Sequence, residues 1–283
     1  MSSKTTLVRK ASVRVQGTAE MHFSQRSGHT RLNHVYHHQP LRVLVPYPVQ
    51  DDVFSAVLAT TSGGLVGGDH LSINIKVASG AQALVTTQAA EKVYRSTGED
   101  CQVILDISAA DRAWLEWCPH ESIIFNGARL RRRLTIHIFG SGHVLAGGLL
   151  VFGRSAHGEA LTYGLVHDEW SVRVNDRLVW ADSLHLKGDL EALLAAPAGF
   201  ENSKAAATLL YVGDDASSWQ DFARRLIGGE GLRTGVTCFD NLLVARWLGH
   251  DASAVRQSYG MFWAAFRGVV RGLPPRMPSI WNM

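Results

Sequence analysis

The chain has few cysteines, no long hydrophobic run and little charge of either sign. Its three cysteines, Cys101, Cys118 and Cys238, are scattered over 283 residues with no Cys-x-x-Cys pair. That excludes a disulfide framework and a thiolate zinc site, and it fits a reducing compartment. No apolar run reaches the roughly 18 residues a membrane-spanning helix needs. The N-terminal "MSSKTTLVRKASVRV" lacks the apolar core of a secretory signal, so the expected location is the cytoplasm, away from any membrane. Charged residues make up 19% and the formal net charge is +3. Arg129, Arg131, Arg132 and Arg133 form the one dense cluster, and no aromatic residue is interleaved to stack on bases. Nucleic acid is therefore not an expected partner. The cluster reads as a solvated strand face or a docking surface for an acidic partner.

What the chain does have is 46% hydrophobic residues in alternating patterns. Leu71, Ile73, Ile75 and Val77 alternate with polar residues, as do Val103, Leu105 and Ile107, and again Leu134, Ile136 and Ile138. Period 2 marks half-buried strands. In "EWSVRVNDRLVW", two such runs flank Asn175 and Asp176, residues suited to a hairpin turn. Helical spacing comes late. Trp219, Phe222 and Leu226 precede Gly228 and Gly229, while Val255, Tyr259, Phe262, Phe266 and Val270 lie on one face of a second helix. Between them "GVTCFDNLLVARWLG" reads as a strand. The expected fold is mainly β, one domain over 1–283, with two α-helices in the C-terminal third.

Four glycines, Gly63, Gly64, Gly67 and Gly68, crowd the stretch "SGGLVGGDH". A phosphate-binding loop needs Lys then Ser or Thr after its last glycine, but Asp69 and His70 stand there. A strand rather than a helix follows, so no helix N-terminus faces an anion. The loop reads as a corner between two strands, with Asp69 accepting hydrogen bonds from turn amides.

Other chemistry is sparse. "GRSAHG" has His157 where a nucleophile elbow needs glycine. Glu116 and Glu121 flank Pro119 and offer paired carboxylates for a β-helical hydrolase. His34, His37 and His38 cluster in "RLNHVYHHQP", and imidazole suits nickel, zinc and copper. Cys118 and His120 would share one side of a strand, which supplies only half a metal site.

Four stretches together resemble the urease accessory protein family UreD, also called UreH. "SGGLVGGD" is similar to its glycine signature, through Gly63, Gly64, Gly67, Gly68 and Asp69. "LVTTQAAEKVYRS" resembles its strand-and-turn motif through Thr86, Thr87, Gln88, Lys92, Tyr94 and Arg95. "LEWCPHESIIFNGA" matches through Glu116, Trp117, Pro119, Glu121, Phe125 and Gly127, and "GRSAHGE" through Gly153, Arg154 and Glu159. The chain departs from the family pattern at Cys118, His120, Asn126 and Ser279. The resemblance runs from about Tyr47 to the C-terminus, leaving 1–45 as a variable N-terminal segment.

This resemblance implies a β-helix-like stack of strands and a chaperone rather than an enzyme. Its implied partners are urease apoprotein, UreF and, through UreF, UreG. It implies no tightly bound cofactor, but Ni2+ in transit toward the urease active site. Glu116, Glu121 and Glu159 are candidate weak ligands along such a path, because oxygen donors can release a divalent cation. Any nucleotide in this system is expected on a partner.

Overall fold

The computed structural model describes residues 14–154 and 158–282, so most of the N-terminal stretch read for a targeting signal lies outside the described residues. The chain winds between two sheets. β1 (Gln16–Arg26) and β2 (His29–His38) form an antiparallel pair in the first sheet, and β3 (Leu41–Leu44) starts the second. From there β4 (Phe54–Thr60), β6 (Gln82–Thr87), β9 (Trp114–Cys118) and β12 (His143–Phe152) lie parallel in the second sheet. β5 (His70–Val77), β8 (Cys101–Ala109), β11 (Arg129–Ile138) and β13 (Tyr163–Val174) lie parallel in the first. Each coil adds one strand to each sheet, which is the solenoid-like stack implied by the resemblance.

The alternating residues line up across coils. Ile73 pairs with Leu105, Leu105 with Leu134 and Leu134 with Trp170, and all four are buried between the sheets. A slip of one residue would turn this whole ladder to solvent, so the alternation fixes the register. The second sheet is covered on both faces, and β9, "WLEWC", is buried at every position. Leu115 and Trp117 face the first sheet, while Trp114 and Cys118 face the helical layer. Continuous burial of this kind is what parallel strands covered on both sides require.

The Asn175–Asp176 turn joins β13 to β14 (Arg177–Asp189), with both residues at positive φ, 48° and 65°. A short helix absent from the sequence expectation follows, α1 (Leu190–Ala195), capped by Asp189 accepting from the Ala192 amide. β15 (Ala205–Val212) extends the second sheet. The two expected helices are α2 (Gln220–Leu226) and α3 (Ala252–Arg271). Trp219 falls in a 3-10 turn just before α2.

The stretch expected as one strand is two: β16 (Leu232–Phe239) and β17 (Leu242–Gly249) form a hairpin. Its turn is Asp240–Asn241, with Asp240 at φ 44°. Short polar side chains tolerate that conformation, as in the preceding hairpin. α3 ends at Gly272 in the left-handed region and buries Val255, Tyr259, Phe262, Trp263 and Phe266. No helix is long and apolar enough to cross a membrane among the described residues.

Candidate functional site

The connections from the first sheet to the second are short turns at 78–81, 110–113 and 139–142. Those returning to the first sheet are long corners at 61–69, 88–100, 119–128 and 153–162. Each of the four resemblance motifs reaches one of these corners, the second and third starting on β6 and β9. Because successive coils stack, motifs distant in sequence touch. The glycine corner and the next one interlock: Leu65 N–H donates to the Lys92 carbonyl at 2.7 Å, and Tyr94 N–H donates to the Leu65 carbonyl at 2.8 Å. Gly64 lies under the Tyr94 ring, and an added Cβ would also meet the Lys92 carbonyl at 2.7 Å. The Asp69 carboxylate accepts from the Val66 and Val15 amides at 2.9 and 3.2 Å.

β7 (Glu91–Val93) and β10 (Ser122–Ile124) pair in the second and third corners, and β10 also pairs with β12. Tyr94 packs edge-on against Phe125 at 4.8 Å, and the Arg154 guanidinium lies 4.4 Å from the centroid of the Phe125 ring. Gly153 N–H donates to the Ile124 carbonyl at 2.8 Å. The described corner residues of the four motifs thus touch in succession.

The second, third and fourth corners open into a groove of about 730 Å³ beside the start of α3. Ile123, Phe125, Leu149 and Val151 supply its apolar lining, and Lys92, Glu121, Arg154 and Arg256 its charges. Glu121 accepts from Arg256 Nε at 3.2 Å, and Glu159 from Arg154 Nε at 2.6 Å. Arg256 also donates to the Trp281 carbonyl at 2.8 Å and lies 4.9 Å over the Trp281 ring. His120 also stacks on Trp281, with ring centroids 4.8 Å apart. His120 lines both the groove and an internal cavity of about 80 Å³ between the sheets. Thr60, Glu91, Ser122 and Arg132 are polar groups of that cavity. Burial pushes the His120 imidazolium down and the Glu91 carboxyl up, the latter although Thr60 donates to it at 2.7 Å.

Glu116 lies elsewhere. Its side chain has no exposed surface and faces the helices, where it accepts from Trp114 Nε1 at 2.9 Å, Trp263 Nε1 at 3.0 Å and Arg267 Nε at 2.9 Å. Arg267 continues to Asp52 at 2.5 Å. With both oxygens engaged and no path to solvent, Glu116 does not share an open cleft with Glu121. The paired-carboxylate hydrolase arrangement is not formed.

The arginine cluster is largely neutralised within the first sheet. Arg129 and Arg131 bond Asp100 at 2.6 and 2.5 Å, and Arg132 bonds Asp168 at 2.6 Å. Burial opposes ionisation of Asp100, but Arg131 and Arg129 outweigh it and hold its pKa below the ordinary value. The histidine cluster is split: His37 accepts from the Val43 amide of β3 at 3.4 Å, whereas His34 turns outward to Glu20 at 2.8 Å. The Cys118 thiol sits in the helix-side core, where burial keeps it protonated, apart from the groove lined by His120. His157 lies outside the described residues.

Sequence patterns did not single out Glu91, Arg256, Arg267 or Trp281. Arg267 had a usable signal, as a charge next to Phe266 and four residues after Trp263 within the aromatic stripe. Such a charge requires a buried partner.

The family described as UreD urease accessory protein matches residues 15–282. The urease accessory protein UreD of Magnetococcus marinus is 43% identical over 274 residues, covering 95% of this chain and 94% of that protein. That of Azorhizobium caulinodans is 35% identical over 270 residues, covering 95% and 97%. That of a Methylobacterium species is 37% identical over 260 residues, covering 90% of each. The matched stretch starts well upstream of Tyr47, in keeping with the place of β1–β3 in the two sheets. The chain belongs to the UreD family of urease accessory proteins.

Proposed function

We propose that this chain is a cytoplasmic assembly factor for urease, which binds the urease apoprotein and recruits UreF, and UreG through UreF, while nickel is inserted. Family membership over nearly the whole chain supports a place in urease maturation. The observation that carries the proposal is the convergence of three separated motifs on one groove, with the glycine corner braced against the second of them. A groove with an apolar lining and a charged rim of Lys92, Glu121, Arg154 and Arg256 suits a protein partner better than a small substrate. The chain acts by binding rather than by turnover.

Nickel is cargo in this scheme, and no resident cofactor is needed. Glu121 and Glu159, at the groove and beside it, are the carboxylates we assign to weak contact with a passing Ni2+. Each is held by an arginine that an ion must displace, which keeps the contact loose. Glu116 is assigned a structural role. The test is copurification of the tagged chain with apo-urease, compared with Lys92→Glu/Arg154→Glu. Recovery of urease with the parent chain and its loss with the double variant is the expected outcome. Equal recovery with both would remove the groove from the proposal.

A further inference from the structure

On the outer face of the first sheet, Glu20 and His22 of β1 stand beside His34 of β2. His22 is paired directly with His34 across the antiparallel ladder, and the ligand atoms of the three residues all lie within 4.8 Å of one another. His34 Nε2 is 2.8 Å from a Glu20 oxygen, and the two imidazole centroids are 4.5 Å apart. The register slips beside His22, so that Phe23 pairs with Leu32 and Asn33 is the extra residue. This bulge lets Leu32 pack against the core while His34 turns outward. Asn74 of β5 contacts His22 Nε2 at 3.3 Å and restrains its ring, as the outer partner of a metal-ligating histidine does. None of these residues lines the motif groove.

We infer that Glu20, His22 and His34 form a binding site for a divalent late transition-metal ion of the Co2+, Ni2+ and Zn2+ class. Two imidazoles and one carboxylate match the donor preference of these ions and select against Mg2+ and Ca2+, which take oxygen ligands. Three protein ligands leave coordination positions for water. The His34 and Glu20 side chains are 43% and 39% exposed, so the ion exchanges with solvent. Lys76, the exposed cross-strand neighbour of His22 on β5, opposes the added charge and keeps affinity moderate. The site depends on these side chains alone and goes beyond the maturation proposal.

The test is titration of the untagged full-length chain with Co2+, followed by visible absorption and competition with Zn2+ and Ni2+. One saturable Co2+ per chain is expected. His22→Ala and His34→Ala should each weaken binding at least tenfold, and Glu20→Gln should weaken it in the same direction. A His37→Ala/His38→Ala variant should bind as the parent does. All these side chains are partly exposed, and circular dichroism confirms that the variants keep their strands. The inference is overturned if the parent chain takes up no Co2+, or if His22→Ala/His34→Ala binds it unchanged. Neither result bears on urease copurification, and failure of copurification leaves the metal titration untouched.

Discussion

Arg267 on α3 lies 2.9 Å from Glu116 on β9, and neither side chain is more than 1% exposed. Burial opposes the arginine charge, but Glu116 and Asp52 outweigh it and hold the guanidinium ionised. Removing one partner strands the others without water. Arg267→Met is expected to cost about 3–5 kcal/mol, the range for breaking a buried pair. The urea midpoint of the folded chain measures it. Glu116→Leu combined with Arg267→Met should cost clearly less than the sum of the two single changes.

Gly64 has φ 142° and sits against the Tyr94 ring. Gly64→Ala adds backbone strain and a clash with the Lys92 carbonyl, which belongs to a paired strand and cannot move freely. A loss of about 2–4 kcal/mol is expected from strain plus overpacking. Gly98→Ala, also at positive φ but with open space around it, isolates the strain alone and should cost less in the same melt.

Arg256 joins Glu121, the Trp281 carbonyl and the Trp281 ring. Arg256→Ala should destabilise by about 1–3 kcal/mol, the scale of a charged hydrogen bond plus a cation–π contact. Faster amide exchange at Trp281, measured by hydrogen–deuterium exchange, would show that the C-terminal turn has been released from the groove.

Glu91 predicts a pH dependence. Its carboxyl is raised above the ordinary 4.5 by burial, so the folded state favours the protonated form. A raised pKa contributes stability below the unfolded value and loses it as pH rises through the folded value. Glu91→Gln, which keeps an acceptor for Thr60, should therefore melt higher than the parent at pH 8. The difference should shrink as pH falls toward 4.5.

Much of the fold was legible because alternation in a coiled stack is repeated in register. Leu71 to Val77, Val103 to Ile107 and Leu134 to Ile138 are strands paired side by side. The β16–β17 hairpin was read as one strand because an Asp-Asn turn without glycine interrupts alternation only briefly. α1 was missed because six residues give too little period to read. The Gly63–Asp69 corner was legible as a corner, yet its neighbours Lys92 and Tyr94 were not, since stacking of coils is invisible along the chain. For the same reason Glu116 and Glu121 read as a pair. On β9, Glu116 points to the helical layer, whereas Glu121 lies past the strand end in a corner.

The decisive measurement is the nickel content of urease purified from cells lacking this chain, compared with cells carrying it, at limiting nickel. The expected result is soluble urease that is nickel-poor and inactive without the chain, with both properties restored when the gene is returned. Fully nickel-loaded, active urease in the absence of the chain would contradict a role in maturation.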